Sequence, residues 1–399
     1  HDFNIAIGSN ALAAQDAGAD AYNIAIGHNA GTSITTGVQN TLIGGQAGDA
    51  MTDADFNVGV GHNALSVNVL GSRSVAIGHN ALLFQNPASA TNMNNVAVGY
   101  GTGAQITTGE KNTLIGSAAG DALTDADTNV AVGYVALGAD TLGSGSTAVG
   151  NGALRDQNFT SATTTYNTAI GYQAGLSNTT GERNNFVGGL TGDAITVGGR
   201  NVAMGHGALS DDTKGSRSVA IGYQALSSQN FTSATDTYNT AVGYSAGADV
   251  TTGIQNTLVG YAAGDSVTTG IFNTVMGAFA GDALTDADYN VAIGGNSLST
   301  DTQGNKTTAV GYGALNGQNQ SSSADTYNVA VGYTAGNNVS TGKANTLLGS
   351  VAGGGATLSG DDNTCVGYSA GYSITSGDNN LCLGHNAGLS TSPSGSITS

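Results

Sequence analysis

Tryptophan is absent from this 399-residue chain, proline and cysteine occur twice each, and only 9% of residues are charged. Two cysteines exclude a disulfide scaffold. Nine Lys and Arg stand against 27 Asp and Glu, for a net charge of −18. Nucleic acid and anionic membranes are met by basic faces, so neither is expected as a partner. No apolar run approaches the ~20 residues that span a bilayer, so membrane insertion is not expected either. The chain opens at His1 without a signal-peptide pattern and reads as a segment of something longer.

What is present is glycine, 64 residues of it, and a period. The stretch "YNTAVGYSAG" at 238–247 recurs as "YNIAIGHNAG" at 22–31, "YNTAIGYQAG" at 166–175 and "YNVAVGYTAG" at 327–336. The glycine of N-x-A-[IV]-G marks 22 units, from Gly8 to Gly384. Their spacing is mostly 17 residues, with four spacings of 21. Seventeen residues are too few for a helical-hairpin repeat and suit one coil of a parallel β-solenoid. The fold class is therefore all-β, a β-roll of about 22 coils with a 17–21-residue period spanning 1–388. Residues 389–399 read as a terminal tail or the start of a following region.

Positions are counted from the marker glycine. Position −1 is Ile, Val, Leu or Met in every unit, and −3 is usually Val, Ile or Thr. Alternation along a strand puts both on one face, read here as the aliphatic core row. Position −4 is Asn in 18 units, the exceptions being Ser74, Ser146, Ser218 and Thr307. Stacked Asn side chains can form a hydrogen-bonded ladder. Position +4 is Gly in 13 units and Leu in nine. Every Leu unit carries a polar residue at +7: Gln15, Asn68, Gln85, Asp140, Gln157, Asp212, Gln229, Asp301 and Gln318. In 11 of the 13 Gly units +7 is apolar, and the two misses, Asn178 and Thr391, have Leu176 and Leu389 nearby. A filled core imposes such compensation, because voids and overpacking both destabilise.

Position −2 is Ala in 13 units and apolar or Gly in the others. It is read as outward-facing, and a strand apolar on both faces is normally buried on both. Association along the whole length follows, most simply as a cyclic homo-oligomer whose axis is lined by residues such as Ala76, Ala97, Ala148, Ala220 and Ala330.

The runs "SVAIGHNAL" at 74–82 and "SVAIGYQAL" at 218–226 resemble the head repeats of trimeric autotransporter adhesins. The fuller pattern "NTAVGYSAG…TTG…NTLVG" and the C-terminal "SGDNNLCLGHNAG" resemble repeats of phage tail-fibre proteins. The resemblance implies a left-handed, homotrimeric parallel β-roll, although adhesin heads use shorter coils.

Candidate chemistry is sparse. Position +1 is Tyr in nine units and His in five (His28, His62, His79, His206, His385). Only His62 and His79 lie in adjacent coils, and no acidic or Cys partner recurs beside them, so stacking is favoured over metal binding. "TDAD" recurs at 52–55, 124–127 and 285–288. Asp53, Asp55, Asp125, Asp127, Asp286 and Asp288 are weak Ca²⁺ candidates, with a solvated turn the favoured reading. Cys365 and Cys382 share one coil position and read as small apolar filler. Each spacing of 21 carries an insertion, such as "QNFTSATTTY" and "QNFTSATDTY". These should project along one edge at equal phase, with Phe159, Tyr166, Phe231, Tyr238 and Tyr327 in or beside them. They are possible contact loops, or longer turns whose aromatics cap a groove. No catalytic set stands apart from the repeat, so no enzyme, cofactor or resident metal is expected.

The expected function is structural and adhesive. The chain reads as a rigid trimeric rod of a virion tail fibre, about 105 Å long at ~4.8 Å per coil, that spaces or presents host-receptor binding. The alternative is the head of a cell-surface trimeric bacterial adhesin. Expected partners are two further copies, other fibre or virion proteins, and a host surface glycan or protein. The location is the virion or the extracellular surface.

Overall fold

A computed structural model describes residues 3–18 and 20–389. Thr391 and all of the 389–399 tail except Leu389 lie outside them. The chain forms two compact units, His1–Arg200 and Asn201–Ser399. Each is a parallel β-solenoid of eleven turns, with one three-residue strand per turn, and no helix occurs among the described residues. Successive strands pair in register. In the first unit Ala25 pairs with Leu42 and Ala76 with Ala97; in the second Leu258 pairs with Val275 and Ala309 with Ala330.

The turns explain the period. The marker glycines hold φ between 111° and 144°. A Cβ on Gly260 would stand 2.6 Å from the carbonyl oxygen of Gly277 in the next turn. Both the φ and the close backbone approach exclude other residues. Position +4 is left-handed as well, whether it is Gly31 (φ 54°) or Leu226 (φ 51°). A Cβ on Gly31 would meet Ile34 Cδ1 at 2.9 Å, so the +7 side chain fills the space that a +4 leucine otherwise takes. Leucine in this conformation costs ~1–2 kcal/mol, and full burial of its side chain offsets a loss of that order.

The structure reverses the two faces expected for the strand. The −2 residues point into each coil's own core: Ala76, Ala97, Ala148, Ala220 and Ala330 are fully buried, so none of them lines an axis between chains. The −1 and −3 residues point outward and are half-buried or exposed. The reason is lumen width. A leucine at +4 leaves room only for a small residue at −2, whereas a turn with glycine at +4 can hold two bulky side chains, as Leu42 with Met51 and Phe186 with Ile195 show. All nine Leu units have Ala or Gly at −2; Leu42, Leu114, Phe186, Leu258 and Leu347 all face a +4 glycine. Cys365 and Cys382 are inward residues of this row, both free thiols. Burial, and then Cys382 beside it, push the Cys365 thiol up to about 12.

The −4 asparagines form a buried ladder. The Asn57 amide donates to Asn40 Oδ1 at 2.9 Å, and Asn57 Nδ2 donates to the Gly71 carbonyl at 3.0 Å. Asn273 repeats this against Asn256. Across each 21-residue spacing a Ser or Thr replaces the Asn, and the +7 glutamine carries the ladder over the gap. Gln157 Nε2 donates to Ser146 Oγ at 2.9 Å, while Gln157 Oε1 accepts from Asn167 Nδ2 at 2.8 Å. Gln229 does the same between Ser218 and Asn239, and Gln318 between Thr307 and Asn328.

Candidate functional site

With the −2 row turned inward, the surface carries three outward ladders and the insertion tips. The first ladder is aliphatic. Ile43, Ile77, Ile115 and Ile170 of the first unit are each at least 36% exposed, as are Met204, Met276 and Val331 of the second. The −3 residues beside them, Val58, Val75, Val202 and Val291 among others, are half-buried. Strand pleating delivers both rows to one face, which the described residues leave uncovered.

The second ladder runs beside it at +1, immediately past the marker glycine. Its rings lie parallel. His62 stacks on His79 at 5.4 Å and His79 on Tyr100 at 5.3 Å. His206, Tyr223, Tyr244 and Tyr261 stack in turn at 5.7, 5.1 and 5.4 Å. Tyr312 stacks on Tyr333, and Tyr368 on His385. The spacing follows the coil rise, which brings flat side chains to stacking range. Four of the five histidines, His62, His79, His206 and His385, therefore sit in this row of stacked rings, while His28 has Ser9 and Gly45 as its +1 neighbours.

The third ladder, at −5, is left-handed in every unit; Arg73 (φ 62°), Tyr166 (φ 53°) and Lys306 (φ 58°) are examples. It holds six of the nine cations, Arg73, Lys111, Arg183, Arg200, Arg217 and Lys306. It also places Tyr166, Tyr238 and Tyr327 on the surface beside the insertions. Arg217 lies over the Tyr238 ring at 5.4 Å and pairs with Asp236. Lys306 lies over the Tyr327 ring at 5.3 Å and donates to Asp325 at 2.6 Å. The Lys306 ammonium and the Tyr327 hydroxyl hold the Asp325 carboxyl below its usual range, and Asp325 raises Lys306 in return.

The insertions divide their aromatic residues between two places. Phe159 and Phe231 are buried and so are not presented for contact. What is exposed is the tip, residues 160–162, 232–234 and 321–323. Each insertion is pinned to the preceding turn by a two-residue parallel pairing, such as Gly143–Ser144 with Thr163–Thr164 and Gly215–Ser216 with Thr235–Asp236.

The TDAD carboxylates bond to the turn before them. Asp53 accepts from the Thr36 hydroxyl and Asp125 from the Thr108 hydroxyl, each at 2.5 Å, and Asp286 accepts from Thr269. Asp55, Asp127 and Asp288 accept the amides of Val38, Glu110 and Ile271 at 2.8, 2.7 and 2.8 Å. Each pair is thus split between a hydroxyl and an amide. Among the described residues no three His, Cys, Asp or Glu side chains converge in the manner of a metal site. Asp140 and Asp212, buried in the insertion network, have carboxyls raised above the usual range by burial, which outweighs their hydrogen bonds from Gln157 and Gln229.

Sequence reasoning singled out the His row, the TDAD turns and the insertion aromatics. It missed the −5 ladder, whose left-handed backbone carries many residue types without a shared letter. No model of a known protein family matches this chain, and no curated protein does.

Proposed function

We propose that this chain is the shaft segment of a homotrimeric adhesive fibre, of the kind that virion tail fibres use to hold a receptor-binding tip away from the particle. The reading rests on one observation: the uncovered aliphatic face that the −1 and −3 residues repeat at every turn. Monomeric proteins seldom leave apolar patches beyond a few hundred Å² open to water. A face repeated turn by turn suits copies of the same chain in parallel and in register, because each turn then meets its own equivalent. Two further features fit a load-bearing role: a buried Asn ladder tying turn to turn, and an acidic, cation-poor composition that keeps long particles apart in solution. The count of three and a left-handed coil are taken from the resemblance to adhesin-head and tail-fibre repeats. Sedimentation of the purified chain tests the proposal. A stable trimer is expected, and a folded, soluble monomer at micromolar concentration overturns it.

A further inference from the structure

The +1 ring ladder is interrupted, and the interruptions differ. At Ala278 the gap is closed by Phe279, which packs edge-on against Tyr261 at 5.0 Å. At Gly295 and Gly45 the rings of Tyr312 and His62 lie where a Cβ would stand 3.4 Å from them. Three gaps have a tyrosine on both sides, Ser117 between Tyr100 and Tyr134, Asn151 between Tyr134 and Tyr172, and Ser350 between Tyr333 and Tyr368, and two of them carry a serine hydroxyl. Among the described residues Tyr134 stacks on no ring, and the faces of Tyr100, Tyr333 and Tyr368 toward the serines meet none. These four tyrosines are 55–63% exposed, against 42–50% for Tyr223, Tyr244 and Tyr261 in the continuous stack. Neither serine hydroxyl is tied into a hydrogen bond among the described residues.

We propose that Tyr100/Ser117/Tyr134 and Tyr333/Ser350/Tyr368 are two saccharide subsites, each taking one neutral pyranose ring of a glycan between its pair of tyrosines. The spacing selects the ligand. Two coil rises separate the ring planes by ~9.6 Å. A ring held between two others at carbon–carbon contact needs ~7–8 Å. A flat aromatic group leaves that distance underfilled. A puckered pyranose, with C–H bonds on both faces directed at the electron-rich tyrosine faces, closes it. The serine hydroxyl at the floor is both donor and acceptor, which suits a sugar hydroxyl. The net charge of −18 disfavours sialic acids and uronic acids. The same pair of subsites on each copy of an oligomer adds weak contacts by avidity. The inference deepens the fibre reading and rests on it only for the source of the glycan.

The test is an array of immobilised neutral and anionic pyranose glycans, probed with the purified chain. Two double variants follow. Ser117→Tyr with Ser350→Tyr completes the ladder in the manner of Tyr223–Tyr244–Tyr261, filling both subsites while keeping a stack the fold already tolerates. Tyr134→Ala with Tyr368→Ala removes one wall of each. Binding of at least one neutral glycan is expected, reduced at least tenfold in both variants, with sedimentation showing the parent's assembly state. The proposal is overturned by a chain that binds no neutral glycan, by one that binds only anionic glycans, or by binding that survives either double variant. Those results leave the fibre reading standing, because that reading is decided by assembly alone.

Discussion

Gln157 Nε2 donates to Asp140 Oδ2, one turn back, at 2.5 Å, and the other oxygen of the same carboxylate takes the amides of Gly143 and Phe159. Asp212 with Gln229 and Phe231, and Asp301 with Gln318 and Gln320, repeat the arrangement. The first insertion departs from it twice. Asn68 stands in place of the aspartate, and Pro87, which has no N–H, stands in place of Phe159. Gln85 Nε2 is left buried without a partner. The carboxylate thus occurs only where the insertion supplies a third donor to a buried charge.

That relationship predicts a coupling. Asn68→Asp gives Gln85 an acceptor but buries a charge with only two donors, so alone it should change stability little. Combined with Pro87→Phe it should stabilise, with a favourable coupling of about 1 kcal/mol or more, since a hydrogen bond to a charged group contributes ~1.5–3 kcal/mol. A double-mutant cycle in urea measures it, and an additive result refutes the shared-donor account.

Acidity supplies a second prediction. Burial raises the carboxyls of Asp140 and Asp212, and burial together with neighbouring aspartates raises Asp265 and Asp282. A carboxyl raised on folding binds its proton more tightly in the native state. Its cost to stability is therefore absent below the ordinary Asp value and complete above the raised one. Lowering pH from 7 toward 4 should raise the melting temperature, and Asp265→Asn should flatten that slope by removing one member of the Asp249–Asp265–Asp282 file. A melting temperature that falls steadily over this range contradicts the assignment.

Much of this molecule could be read from its letters, and one error shows where reading stopped. The period, the glycine turns, the Asn ladder and the exchange between +4 and +7 all leave marks in composition, because each demands a residue type. The faces of the strand were inverted because both are apolar, so polarity could not separate inside from outside. A signal existed: every +4 leucine is matched by Ala or Gly at −2, as in Leu226 with Ala220 and Leu65 with Gly59. Only residues that share a lumen compete for volume in that way. The −5 ladder left no mark, since a left-handed backbone that points its side chain at water accepts Arg, Tyr, Gln and Lys alike. The tyrosine spacing needed the ring stacks before its gaps had meaning.

The turn glycines give a third test. Gly260→Ala places a Cβ 2.6 Å from a backbone oxygen at φ +139°, where neither neighbour is a flexible side chain. Loss of at least about 3 kcal/mol is expected. Leu226→Ala leaves a void in a fully buried site and should cost ~2–5 kcal/mol. In a repeat chain such losses act locally, so amide exchange at the turns on either side is the measurement that resolves them. Protection unchanged at Ala241 and Leu258 would show that neither position supports the core as argued.

The sharpest prediction separates the two faces of one strand. Val242 points outward and Ala241 inward, one residue apart in Thr240–Val242. Val242→Asp, made together with Ile221→Asp in the turn before, sets charges on the aliphatic face without entering any coil's lumen. The variant should keep its β circular dichroism and lose its oligomeric state, because two carboxylates per chain would have to be desolvated against their own copies. Ala241→Asp buries a charge at a fully buried position between its strand partners Ala220 and Leu258 and should unfold the turns around it at any oligomeric state. If the outward pair leaves the sedimentation coefficient unchanged, the aliphatic ladder is not where the chains meet. If the inward substitution is tolerated while the outward pair unfolds the protein, the assignment of faces itself is wrong.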